Sequence, residues 1–231
     1  MSDAPHTQHL QRLRRLDACA VSDALDKLGL TGAVSGLPQR SGDGRIAGRA
    51  VTMKVGPGQA PPGPPLHLGC RAIELAGPDD VIVVEQRSGV EAGCWGGLLT
   101  LGAQQRGVAG VVADGPLRDV DEAMALGFPI FARSLTSRTA RGRVVELGAQ
   151  VPVCLGAPGD ASEAGQVWVQ PGDYLLADRS AVVVIAQADI TRVLDAAEAI
   201  VAREAAMAKA ILAGTPIGQV MGGAYELMLK G

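Results

Sequence analysis

Two uninterrupted apolar runs constrain this chain more than any other feature. Val81–Val84 (VIVV) and Gly110–Ala113 (GVVA) are both strand-sized, and between them lie a Gly-rich loop and a helical segment over 95–106. Neither alternates with polar residues, so each predicts a strand covered on both faces. A strand with two covered faces needs a layer on either side, which points to a layered α/β domain.

The flanking sequence extends this pattern. Leu10, Leu13, Leu16, Ala20, Ala24 and Leu28 recur at helical steps, so 8–28 reads as a helix, with Asp17 or Ser22 able to restart it as an N-cap. His6 and His9 fall in what reads as a frayed terminus. Residues 46–55 alternate as a strand should. Residues 56–65 (GPGQAPPGPP) cannot join a sheet interior, because proline removes backbone donors. They form either a lid or, as we favour, a stiff surface connection. Helices at 66–76 and 119–126 and strands at 81–85, 108–114, 129–132, 151–155, 167–169, 174–177 and 181–186 follow. A long C-terminal helix over 189–213 closes the pattern. Together these predict one α/β domain over 1–213, with N-terminal helices and a mixed sheet, then a Gly-rich tail over 214–231 carrying a short docking element at 224–229.

Composition excludes several function classes. With 21 basic and 24 acidic residues the net charge is −3, which gives no overall basic surface for nucleic acid. No apolar run reaches the ~18 residues of a membrane helix, and the N-terminus lacks a signal-peptide core. The cysteines, Cys19, Cys70, Cys94 and Cys154, form no CxxC pair, so a reduced, cytoplasmic protein is expected. No GxSxG elbow, Walker loop or HxxxH pair occurs. Of the four lysines, only Lys54, in the strand AVTMKV, is placed to act as a Schiff-base amine, and alternation can equally turn it to solvent.

The chemistry concentrates between Gly89 and Asp119. Gly96, Gly97, Leu98 and Leu99 stand at a predicted helix start, where backbone N–H groups lack internal partners and the helix dipole favours an anion. The run GVVADGPLRD then delivers a buried strand into a turn that presents Arg118 and Asp119. Arginine offers a planar fork to a carboxylate, and the aspartate offers oxygen to a hard cation such as Mg²⁺ or Mn²⁺. On the last helix, Ile190, Leu194, Ala197, Val201, Ala208 and Ile211 form an apolar seam interrupted by Glu204, a carboxylate that is either solvated or costly to bury.

These motifs resemble a known family. Trp95–Leu99 (WGGLL), Gly97 placed 21 positions before Arg118-Asp119, Gly127-Phe128-Pro129, and Pro171-Gly172-Asp173-Tyr174 with Ala177-Asp178 match the pattern of RraA-like proteins from about residue 16 to 213. The family includes metal-dependent 4-hydroxy-4-methyl-2-oxoglutarate aldolases. The resemblance implies a sandwich of the swivelling β/β/α type, assembly as homotrimers or hexamers, and sites between subunits. It further implies that Gly96, Gly97, Leu98 and Leu99 hold a pyruvate-like carboxylate and that Arg118 binds substrate and steadies an enolate. Asp119 would ligate Mg²⁺ or Mn²⁺, and an acid from the neighbour's C-terminal helix would complete the site. Glu204 is the candidate acid, with Glu198 as an alternative off the seam.

The implied activity is cleavage of a 4-hydroxy-2-oxo acid to pyruvate, with oxaloacetate decarboxylation through the same enolate. One departure stands out: the typical aldolases carry an acid where this chain has Gly97. Glu91 or Asp114 are the residues considered as replacements, and the loop over 157–166 reads as longer than usual. The alternative reading is a non-catalytic protein of the same fold, of the ribonuclease-inhibitor type.

Overall fold

The computed structural model of the protein describes residues 4–64, 66–156 and 165–222. Helices α1 (Ala4–Leu13) and α2 (Ala18–Lys27) precede strands β1 (Ala33–Val34), β2 (Gln39–Ser41) and β3 (Ile46–Gly56). The middle alternates α3 (Cys70–Leu75), β4 (Asp80–Glu85), α4 (Gly97–Gln105), β5 (Gly110–Leu117), α5 (Val120–Ala125) and β6 (Ile130–Leu135). Strands β7 (Val145–Ala149), β8 (Val153–Leu155), β9 (Val167–Val169), β10 (Tyr174–Ala177) and β11 (Val182–Ile185) follow. Helices α6 (Ile190–Leu212) and α7 (Ile217–Val220) come last.

Among the described residues, one mixed sheet runs in the order β1-β11-β10-β3-β4-β5-β6-β2, with β7 also beside β3. Strands β3, β4, β5 and β6 are mutually parallel, and the flanking strands are antiparallel. Strand β3 is long enough to pair with β10 through Ile46–Arg49 and with β7 through Met53–Gly56.

Side-chain alternation divides the core into layers. Ile82, Val84, Val111 and Ala113 face helices α3, α4 and α5, whereas Val81, Val83 and Val112 face the two-stranded β8–β9 ribbon. This is why VIVV and GVVA are apolar throughout. Beside that helical layer, α1, α2 and α6 pack Leu13, Val21, Ala24, Leu194 and Ala197 onto Tyr174, Leu176, Val183 and Ile185. Ribbon, sheet and helices stack as the expected β/β/α sandwich.

Several expectations need correction. The 8–28 segment is two helices, with Asp17 accepting the Ala20 N–H at 2.9 Å as the N-cap of α2, the restart anticipated as the alternative. His6 and His9 lie inside α1 and meet the buried Tyr174 hydroxyl through Nδ1, at 2.6 and 3.3 Å. Strands β1, β2 and β7 escape a periodicity search because they are short or carry polar and glycine residues (AV, QRS, VELGA). The 66–76 helix contracts to Cys70–Leu75, preceded by Gly69 in the left-handed region (φ 86°). The docking element at 224–229 and the 157–164 part of the predicted long loop lie outside the described residues.

Candidate active site

The site is built where β5 runs out of its sheet. Beyond Ala113 the strand shifts register, and the 93–96 loop comes alongside it: Cys94 N–H donates to Pro116 O at 2.9 Å, and Arg118 N–H to Trp95 O at 3.1 Å. Trp95 is buried and anchors the loop, its Nε1–H donating to Thr100 Oγ1 at 3.1 Å while that hydroxyl donates to Gly96 O at 2.9 Å. The loop and the N-terminus of α4 are therefore fixed against the end of β5, with Arg118 and Asp119 at their junction.

Asp119 occupies the left-handed region (φ 58°, ψ 40°), an uncommon conformation for a residue other than glycine. This turns its carboxylate back toward α4, where Oδ2 accepts the Gly97 N–H at 3.1 Å. Arg118 Nε donates to both oxygens of the same carboxylate at 3.1 Å. Among the described residues, the terminal nitrogens of Arg118 have no partner, so one edge of the guanidinium is available to a ligand. Gly97 spends its N–H on Asp119, leaving those of Leu98 and Leu99 as the open donors of the first turn. The Leu98 side chain is 85% exposed.

Glycine is required here for space. Gly96 has an extended backbone, yet a Cβ on it would stand 2.9 Å from Asp119 Oδ2 and 3.0 Å from Arg118 Cγ. A Cβ on Gly97 would collide with the carboxylate of Glu122, 2.8 Å from its Cδ, and lie 3.3 Å from Asp119 Cβ. Glu122 thus fills the space into which a side chain at position 97 would project. It was not among the sequence candidates, although it lies one turn beyond Asp119 and so on the same face of α5.

Those considered earlier do other work. Glu91 pairs with Arg138 at 3.4 Å on the surface. Asp114 is fully buried on the ribbon side of the sheet, bonded to Arg133 and to the Gly156 N–H (2.8 Å). Lys54 is 40% exposed and pairs with Glu85 at 3.3 Å, so it is not a desolvated amine.

Arg118, Asp119 and the first turn of α4 open on a cleft of about 660 Å³, lined also by Gly93, Ile73 and Arg141 among others. Neither Glu122 nor Glu204 is among the residues that line this cleft. Glu204 is exposed on α6, whose C-terminal half extends beyond the packed segment ending near Ile200. Glu198 is committed elsewhere: Arg12 donates to both its oxygens at 2.8 and 2.7 Å, which holds its carboxyl below the usual range.

The residues at the junction suit a hard divalent cation in kind. Asp119 and Glu122 offer oxygen only, and Mg²⁺ needs one or two protein carboxylates, with water and substrate completing its shell. Among the described residues, no group of three or more His, Cys, Asp or Glu side chains is placed to hold a metal ion.

The aldolase/RraA family model matches residues 18–184. The chain belongs to the RraA-like family. Over 208 residues it is 30% identical to a protein of Halalkalibacterium halodurans whose name provisionally assigns it as a 4-hydroxy-4-methyl-2-oxoglutarate aldolase, covering 87% of this chain and 88% of that one. Among solved structures, it is similar to an uncharacterized protein of Pseudomonas syringae pv. tomato (TM-score 0.80, 27% identity, 94% and 98% of the two chains). It is also similar to RraAS2 of Streptomyces coelicolor, described as an unusual member of an RNase ES inhibitor family (TM-score 0.68, 25% identity, 82% and 90%). The chain spans 32% and 58% of the lengths of two other curated relatives. No described helix of this RraA-like chain is long and apolar enough to cross a membrane.

Proposed function

We propose that this RraA-like protein is a divalent-metal-dependent lyase that cleaves a 4-hydroxy-2-oxo acid to pyruvate, and that it decarboxylates oxaloacetate at the same site. The observation that carries this reading is that Arg118 and Asp119 share one cleft with the open N–H groups of α4, with Glu122 packed against Gly97 beside Asp119.

Cleavage of the bond next to C3 leaves an electron pair that the 2-oxo group takes up as an enolate. The N–H groups of Leu98 and Leu99, at the positive end of α4, orient the carboxylate of the pyruvyl half. The free edge of the Arg118 guanidinium lies against the developing enolate oxygen, and Asp119 holds that guanidinium through Nε, so little reorganisation accompanies charge transfer. Asp119 and Glu122 would hold Mg²⁺ or Mn²⁺, which when bound supplies Lewis-acid polarisation of the 2-oxo group. Gly96 and Gly97 keep the approach to this oxygen open.

In this reading the protein works as a homotrimer or hexamer. The exposed end of a neighbour's α6 brings its Glu204 toward the cleft as the acid that relays the 4-hydroxyl proton. The support is the extension of α6 beyond its own core and the apolar Ile211 and Leu212 exposed on it.

Enolate formation can be read without knowing the aldol substrate. In D₂O with Mg²⁺, the methyl proton signal of pyruvate should decay in the presence of the protein and persist when chelator is added. A stable methyl signal at high protein concentration, together with recovery of a ribonuclease in pull-downs, would replace this reading by the inhibitor type suggested by the RraAS2 likeness.

A further inference from the structure

The cleft does not end at the pyruvyl site. A second chamber of about 570 Å³ adjoins it and shares His67, Leu68, Ala140 and Arg141 with it. Its floor comes from α3 and from residues 140–146, and its outer wall from Ala60–Pro64. This wall is part of the proline-rich stretch over 56–65, expected as a stiff surface connection. Pro61, Pro62 and Pro64 bring no N–H donors to the chamber. Hydrogen-bond donation therefore falls largely to side chains, and the candidates are Arg71, Arg141 and His67.

Arg71 and Arg141 belong, with the exposed Arg15 and Arg203, to a minority of the arginines in this molecule. Most of its guanidinium groups are committed: Arg12, Arg14, Arg49, Arg106, Arg118, Arg133, Arg138, Arg179 and Arg192 all bond to carboxylates or carbonyls. Among the described residues, the guanidinium groups of Arg71 and Arg141 have neither a hydrogen-bond nor an ion-pair partner. Arg71 is half-buried in the wall, with Nη2 3.4 Å from where a Cβ on Gly63 would stand. The acid facing the same chamber is Glu146, which is buried and accepts the Gly69 N–H at 2.8 Å, and Glu74 lines the inner chamber. The outer chamber thus presents two unpaired guanidinium groups against one carboxylate already bonded.

We propose that Arg71 and Arg141 determine specificity by receiving an anionic group, a carboxylate, at the far end of the substrate from the pyruvyl half. Arg141, exposed on the boundary of both chambers, meets the shorter substrates; Arg71, which lines the outer chamber alone, meets the longer ones. A planar guanidinium fork matches a carboxylate in two hydrogen bonds, which a methyl or amide end cannot replace. This inference rests on the pyruvyl reading of the inner chamber.

Calorimetric binding tests it with ligands that are not cleaved: pyruvate, 2-oxoglutarate, and 2-oxopentanoate, which matches 2-oxoglutarate in chain length but lacks the far carboxylate. All are titrated in Mg²⁺. The expected result is 2-oxoglutarate binding about tenfold or more tightly than 2-oxopentanoate, and that ratio collapsing toward one in Arg71→Gln/Arg141→Gln. Arg71→Lys/Arg141→Lys should retain an intermediate ratio, which a merely structural role would not produce. A ratio near one in the unaltered protein, or a ratio that survives the double Gln substitution, overturns the proposal while leaving the pyruvyl site standing. Failure of pyruvate itself to bind would instead overturn the function proposed above, and this inference with it.

Discussion

The carboxylate of Glu122 occupies the space into which any side chain at position 97 would project. Two positions far apart in sequence therefore compete for one place beside Asp119. The carboxylate beside Asp119 comes from the first turn of α5.

This relationship predicts the outcome of a swap. Glu122→Ala should weaken Mn²⁺ binding, read by electron paramagnetic resonance, by at least about 10–100-fold, the cost of losing even a group that only supports a metal's ligands. Gly97→Asp alone should stay folded, because the atom it meets is the end of a flexible side chain, but it should displace Glu122. The pair Gly97→Asp/Glu122→Ala should recover most of the lost affinity. No recovery in the pair would show that the shared position carries no functional exchange.

Much of the architecture could be read directly from residues. VIVV and GVVA carry their double coverage in composition, and the seam of α6 carries its period as far as Val201. The restart at Asp17 was legible as a capping residue. What escaped was set by tertiary contact. Strands β2 and β7 are made strands by their partners, since their own side chains alternate weakly. Glu122 escaped because its role depends on the left-handed turn at Asp119, which aims α5 back at α4. Asp114 looked available because it ends a buried strand near Arg118, but strand alternation turns it to the opposite side of the sheet.

That opposite side gives a stability prediction. Asp114 is fully buried and bonded to Arg133 and the Gly156 N–H, with Arg87 Nε at 3.9 Å. Asp114→Ala would leave the Arg133 guanidinium without its close counter-charge, at a cost of about 3–5 kcal/mol in urea unfolding. Glu91→Ala removes an ion pair whose side chains are both 58% exposed, and should cost less than about 0.5 kcal/mol. Comparable losses in the two variants would contradict the assignment of Asp114 as the buried structural acid.

The docking of α1 should respond to pH. His9 meets Tyr174 through Nδ1 and Thr191 through Nε2 at 3.2 Å. Burial, followed by the nearby charges of Arg12 and His6, lowers its pKa below the ordinary 6.5. The unfolded chain therefore takes up this proton more readily than the folded one. The associated stability is complete above about pH 6.5 and is lost as pH falls through the lower, folded-state value. The melting temperature should drop more between pH 7 and 5.5 for the unaltered protein than for His9→Gln. Parallel curves would show that α1 does not sense protonation at this site.

Central to the proposed chemistry is a guanidinium, braced by Asp119, that meets negative charge as it forms on the substrate. The most direct measurement is the initial rate of pyruvate release from 4-hydroxy-4-methyl-2-oxoglutarate in Mg²⁺, comparing the unaltered protein with Arg118→Ala. The predicted result is a rate abolished by chelator and reduced at least about 100-fold by the substitution. A rate that persists in chelator, or that Arg118→Ala leaves unchanged, would contradict it.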